Sequence, residues 1–122
     1  WETKPEPLSK ENPYHPINID TYKDVPKKNI PDTESLKDTY ERVIKFYDEE
    51  IKKKLRNKNI LISAHGNSIR ALCKYLFKLD NNQISKLEIP TGNPLMIELN
   101  DNYEIKNCEY LDKQRAKDLL VF

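Results

Sequence analysis

His15 and His65 are the only histidines among 122 residues, and Cys73 and Cys108 the only cysteines. Of these four, only His65 stands where chemistry is easy to arrange. It lies within Ile60-Leu61-Ile62-Ser63-Ala64-His65-Gly66-Asn67-Ser68-Ile69-Arg70-Ala71-Leu72, an apolar run that stops at the histidine, passes through one glycine and restarts with helical spacing. A strand that delivers an imidazole to its carboxyl end, with a helix opening beside it, suits a phosphate ester. The first amides of the helix are unsatisfied, its dipole favours negative charge, and Gly66 lets a ligand come close to the backbone. In open α/β sheets, ligands gather outside the carboxyl ends of strands, where His65 falls. The plainer alternative is an ordinary loop, since Gly66 and Asn67 are common loop formers. Arg70 projects from the first turn of the helix, where a cation opposes the dipole. A ligand role and a surface ion pair both stay open for it.

Charge sets the next bounds. With 21 basic and 20 acidic residues the net charge is near zero, so any anion site must be local and neither nucleic acid nor an anionic membrane is implied. No CxxC pair occurs. The two cysteines read as buried free thiols, and two histidines beside them cannot assemble a metal cluster. The apolar runs are far too short to span a membrane, and nothing resembles a signal peptide, so a reducing cytoplasmic setting is the expectation.

The elements that must position His65 can be placed in order. Residues 1–31 hold six of the eight prolines and no sustained period, which predicts an irregular segment. Its aromatics, Trp1, Tyr14 and Tyr22, favour a segment packed on something. His15, within it, is expected to be exposed and idle. Asp32 or Thr33 offers an N-cap for an amphipathic helix over 33–56, with apolar residues at Leu36, Tyr40, Val43, Ile44, Tyr47, Ile51 and Leu55. Its basic end, Lys52 to Lys58, reads as a solvated face complementing the helix dipole. Asn57 and Asn59 bracket a turn. Residues 59–64 then predict a strand buried on both faces, as in parallel sheets. A helix over 68–78 follows, burying Ile69, Leu72, Cys73 and Leu76. Asn81 or Asn82 starts a short helical turn through Leu87, and Ile89-Pro90-Thr91-Gly92-Asn93-Pro94 is a rigid connection. Strands are predicted at 95–99 and 103–111 around an Asn100-Asp101-Asn102 turn, with Asp112 capping a last short helix through Leu120.

Helix, strand and helix in succession argue for an α/β layer. A doubly covered strand needs neighbours on each side, yet the chain offers only one such strand and a hairpin. Either a second copy completes the sheet, or these residues are the back half of a larger domain.

Ser63-Ala64-His65-Gly66-Asn67-Ser68-Ile69-Arg70-Ala71-Leu72, followed by Lys74-Tyr75-Leu76 and by Ile89-Pro90-Thr91-Gly92 before Pro94-Leu95, strongly resembles the cofactor-dependent phosphoglycerate mutase family of the histidine phosphatase superfamily. Thr33 to Thr39 and Arg42-Val43 match the helix that precedes the motif in that family. The resemblance covers essentially the whole chain. It implies a three-layer α/β sandwich around a mostly parallel sheet, of which 1–122 would be the carboxyl-terminal part: an irregular active-site covering at 1–31, then helix-strand-helix, hairpin and helix over 32–122. It also implies interconversion of 3-phosphoglycerate and 2-phosphoglycerate, in glycolysis and gluconeogenesis, through a phosphohistidine primed by 2,3-bisphosphoglycerate, with no metal. His65 matches the family's second histidine, which stabilises charge developing on the migrating phosphoryl. Gly66, through its amide, and Asn67 match substrate-binding positions. The nucleophilic histidine of the family's Arg-His-Gly motif, its acid/base glutamate and its Arg-Arg pair have no counterpart here. The isolated chain is therefore expected to be inactive. The partners implied are small phosphoglycerates, with a homo-oligomer of the complete protein allowed. Two rivals share the fold: a histidine-type phosphatase acting on a small phosphorylated metabolite, and a non-catalytic domain.

Overall fold

Ser35 and Asp38 start the first helix by satisfying each other's backbone. The Ser35 hydroxyl accepts from the Asp38 amide at 3.1 Å, while the Asp38 carboxylate accepts the Ser35 amide at 2.8 Å. That amide, helped by Lys4, holds the Asp38 carboxyl down at about 2. The computed structural model describes residues 1–116, and in it α1 spans Leu36–Phe46. The cap is Ser35 and not Asp32 or Thr33, because only Ser35 has an acid three residues on to close the reciprocal pair. The helical path continues as a π-helical stretch, Tyr47–Ile51, and a 3-10 turn, Lys52–Lys54. Asn57, at φ 58°, ends it in the left-handed conformation that asparagine tolerates. The basic end is a solvated face, as expected: Lys54 pairs with Glu50 at 3.2 Å and Lys52 with Asp48 at 3.9 Å, exposed pairs worth a few tenths of a kcal/mol each.

The predicted strand at 59–64 does not form. These residues carry no strand and no backbone hydrogen bond among the described residues, and Leu61 is 91% exposed. The physical reason is that a strand exists only through its neighbours. β propensity and an apolar sequence cannot supply ladder partners, and none is present among the described residues.

α2 spans Gly66–Leu76, two residues earlier than predicted, and α3 spans Asn81–Lys86. Asp80, and not Asn81 or Asn82, caps α3, accepting from the Asn82 and Gln83 amides at 2.8 Å each. The Gln83 side chain returns a bond to the Asp80 amide, closing the same kind of box. The hairpin is β1, Leu95–Leu99, against β2, Ile105–Tyr110, antiparallel, with Leu95 opposite Tyr110 and Ile97 opposite Cys108. Asn100 builds the turn by accepting from the Asn102 and Glu104 amides, so β2 begins two residues later than predicted. These two antiparallel strands are the whole sheet among the described residues. The architecture is thus α/β in content, without the parallel pairing expected. Of the last helix, the described residues hold a 3-10 turn, Gln114–Ala116, with Asp112 accepting from the Arg115 amide. Its predicted end at Leu120 lies outside them.

The core is small. Cys73 on α2 meets Ile84 on α3 and Leu87, with Trp1, Leu36, Ile69 and Leu95 packed around them. Ile84 and Leu87 are fully buried, each worth about 1.5–3 kcal/mol of transfer free energy. Burial pushes the Cys73 thiol up to about 12, and the Cys108 thiol also upward, as inert structural thiols require.

Residues 1–31 are irregular, as predicted, but tied down. Trp1 stacks edge-on against Tyr40 at 5.6 Å under the Lys74 ammonium, and its carbonyl accepts the Lys37 amide. Three 3-10 turns follow, at Pro16–Asn18, Asp20–Tyr22 and Lys27–Asn29. Tyr14 and Tyr22 are exposed. His15, expected to be exposed, is instead fully buried. Its Nδ1 accepts from the Ile17 amide at 3.3 Å, capping the first turn, and its Nε2 faces the Asp32 carboxylate at 3.3 Å without the alignment of a hydrogen bond. Composition could not reveal this, because the ring's partner, Asp32, is distant along the chain. Replacing His15 with alanine is expected to loosen the segment by about 1–3 kcal/mol, so that limited proteolysis within residues 9–32 speeds up roughly tenfold or more. An unchanged cleavage rate would show that the ring holds nothing in place.

Candidate functional site

The candidate site begins with a backbone requirement. The first amides of α2 need acceptors, and the residue before Gly66 must leave the helix in extended conformation. His65 does so at φ −61° and ψ 144°, and its carbonyl accepts from the Ser68 and Ile69 amides at 2.9 and 3.1 Å. Its side chain completes the cap. Nδ1 accepts the Asn67 amide at 3.3 Å, a role usually taken by Ser, Thr, Asp or Asn. Predicting α2 from residue 68 missed this, since histidine is a rare cap. The consequence is chemical. With Nδ1 accepting, the ring's proton sits on Nε2, which faces out from an exposed side chain as a donor.

Gly66 and Asn67 sit in the first turn beside that ring. A Cβ on Gly66 would meet no atom within 4 Å, so packing among the described residues does not call for glycine. The Gly66 amide has no acceptor among the described residues. An amide, an imidazole N–H and the Asn67 side chain thus share one exposed helix start, which can offer donors to an anion. Arg70, one turn on, makes no ion pair among the described residues, so the surface pairing considered for it does not form. Its Nη1 donates to Asn67 Oδ1 at 3.2 Å and its Nη2 to the Ile84 carbonyl at 2.7 Å, bracing α2 against α3.

A second polar knot went unseen in the sequence. Asn93, 5% exposed, donates through Nδ2 to the Asp112 carbonyl and accepts the Asp112 amide on Oδ1, both at 2.9 Å. Arg115 adds a bond from Nη2 to the Thr91 carbonyl at 2.6 Å. Gly92, at φ 70°, makes the turn between them. The rigid 89–94 connection is therefore anchored to the chain after β2. Its only sequence signal was an asparagine next to the glycine, which reads equally well as a simple turn residue. No hydrogen bond or ion pair joins this knot, or residues 1–31, to His65 among the described residues.

A cavity of about 590 Å³ lies elsewhere. Tyr40, Tyr47, Lys52, Lys74, Tyr75 and Tyr103 line it near the carboxyl end of α2, about 15 Å along the helix from His65. Two of its three lysines are already engaged, Lys74 by Trp1 and the Leu79 carbonyl and Lys52 by Asp48 and the Tyr103 ring. Among the described residues no group of three or more His, Cys, Asp or Glu is placed to hold a metal ion, and no helix is long and apolar enough to cross a membrane.

Comparison with known proteins follows the same residues. The model of the histidine phosphatase superfamily (branch 1) matches residues 1–107. A 2,3-bisphosphoglycerate-dependent phosphoglycerate mutase of Pelagibacter ubique (strain HTCC1062) is 71% identical over all of this chain and 52% of its own length. Proteins of the same name from Maricaulis maris (strain MCS10) and Hydrogenobaculum sp. (strain Y04AAS1) are each 42% identical, over 98% and 96% of this chain. The chain spans about half the length of these relatives.

Proposed function

We propose a function from one premise: the chain belongs to the histidine phosphatase superfamily (branch 1). The reading is that it forms the carboxyl-terminal part of a phosphoglycerate mutase, which interconverts 3-phosphoglycerate and 2-phosphoglycerate in the cytoplasm through a phosphohistidine on a histidine outside residues 1–122. The observation that carries it is the His65 cap, which points one Nε2–H outward beside a free helix amide. Phosphoryl transfer asks chiefly for positioned donors around the equatorial oxygens, and those two groups with the Asn67 side chain are such donors. The same donor set fits the phosphoryl group of 2,3-bisphosphoglycerate, which when bound supplies the phosphoryl that primes the enzyme. His65 stabilises developing charge, Gly66 and Asn67 bind substrate, and residues 1–31 cover the site and keep water from it.

In the complete domain a mostly parallel sheet lies between helical layers. Two features support this. The 59–64 run stands without a ladder, with Leu61 and Ile62 exposed, and β1 is paired with β2 alone. Strands from the other half of the domain would cover both.

A coupled assay of the complete protein on 3-phosphoglycerate, with and without 2,3-bisphosphoglycerate, tests the reading. Turnover that rises on addition of the bisphosphate is expected. Release of inorganic phosphate without isomerisation would make the protein a phosphatase, and no turnover of either kind would make it a non-catalytic member of the fold.

A further inference from the structure

We infer that Arg70 is a positioning residue that sets which face of the Asn67 amide meets the substrate, an inference that rests on the function proposed above. A guanidinium carries only donors, so the Asn67 atom that it faces at 3.2 Å must be the carbonyl oxygen. With Oδ1 taken by Arg70, the Asn67 side chain has only its NH₂ group left to offer. The Asn67 backbone amide is spent on His65 Nδ1, so the residue is held by the ring on one side and by Arg70 on the other. The amide of an exposed asparagine is otherwise free to turn over. Left unheld, it would present oxygen to an anionic substrate for part of the time, and that orientation repels.

The hold on Arg70 itself is deep. Its Nη2 donates at 2.7 Å to the carbonyl of Ile84, which has no exposed surface, and its buried Nε has no partner among the described residues. Two hydrogen bonds therefore join three residues from the core of α3 to the edge of the site: Ile84, Arg70, Asn67. Burying a guanidinium edge with one N–H unsatisfied is costly, and a surface residue would have been cheaper if bracing two helices were the whole task. The geometry assigns Arg70 to specificity for an anion at Asn67, with no contact of its own to the reacting atoms.

The test is a double-substitution cycle in the complete protein, read as KM and kcat for 3-phosphoglycerate. Arg70→Met is expected to raise KM about tenfold while kcat falls by less than about threefold, because binding is weakened while His65 keeps its cap. In an Asn67→Ala background the same substitution should leave KM unchanged within about twofold. Arg70→Lys, which retains the charge but can reach only one of the two acceptors, should behave as Arg70→Met does; it serves alone if the methionine variant does not fold. An equal rise in KM in both backgrounds, or full rescue by lysine, overturns the inference while leaving the proposed function standing. Absence of 3-phosphoglycerate turnover by the unsubstituted protein overturns both.

Discussion

His65→Ala in the complete protein is expected to lower kcat for phosphoglycerate interconversion by about 10²–10³, the loss that follows removal of one charge-stabilising donor. Steady-state kinetics on 3-phosphoglycerate at saturating 2,3-bisphosphoglycerate measures it. The effect should fall mainly on kcat, because the Nε2–H is worth most where charge develops. The same substitution also removes the cap of α2, since the Asn67 amide loses its acceptor at 3.3 Å. That part should cost about 1 kcal/mol of stability, and it can be separated by the melting temperature. His65→Asn is the control: asparagine caps a helix well but cannot extend a donor as far as Nε2. Stability should return while kcat stays low. A loss of kcat below about tenfold in either variant would mean that His65 only begins a helix.

Residues 1–122 on their own are expected to give no phosphoglycerate interconversion above background, a loss of the entire enzymic acceleration, on the order of 10⁶ or more. Transfer through a phosphohistidine with a stabilising partner needs two accessible rings. The chain has two histidines in all, and His15 is fully buried with one nitrogen capping Ile17 and the other against Asp32. Only His65 is available, so a phosphoryl group would find a stabilising ring without an attacking one. The coupled assay on the purified chain checks this, with the complete protein as reference. Turnover by the chain alone would mean that His65 can itself act as nucleophile.

The isolated chain should also associate readily. Leu61 is 91% exposed, Ile62 40% and Phe46 58%, apolar side chains that a folded domain ordinarily covers.

Much of this was legible in the order of residues. The stripe from Leu36 to Tyr47 required a helix, and Leu95 to Leu99 with Ile105 to Tyr110 around an asparagine-rich turn required a hairpin. Both exist because local periodicity and local hydrogen bonds suffice to make them. His65, Gly66 and Asn67 were marked as a group by an apolar run ending at a glycine and a helix, and they do share one exposed helix start. What failed were the features that depend on distant partners. Residues 59–64 have the sequence of an interior strand, but a ladder is a relation between segments and no neighbour is there to complete it. His15 was misjudged for the converse reason, since it is buried and faces Asp32, 17 positions away, a contact that local pattern does not contain.

The sequence by itself thus determined the helices and the hairpin and grouped His65, Gly66 and Asn67 at one helix start, all of them short-range consequences of side-chain period, capping and turn chemistry. Only the tertiary structure decided that the His65 ring is an N-cap with its proton directed outward, that Arg70 ties Asn67 to the carbonyl of Ile84, and that Asn93 clasps the chain at Asp112. Each of those depends on the direction of a hydrogen bond, and direction is set by how elements pack, which no count of residues along a chain contains.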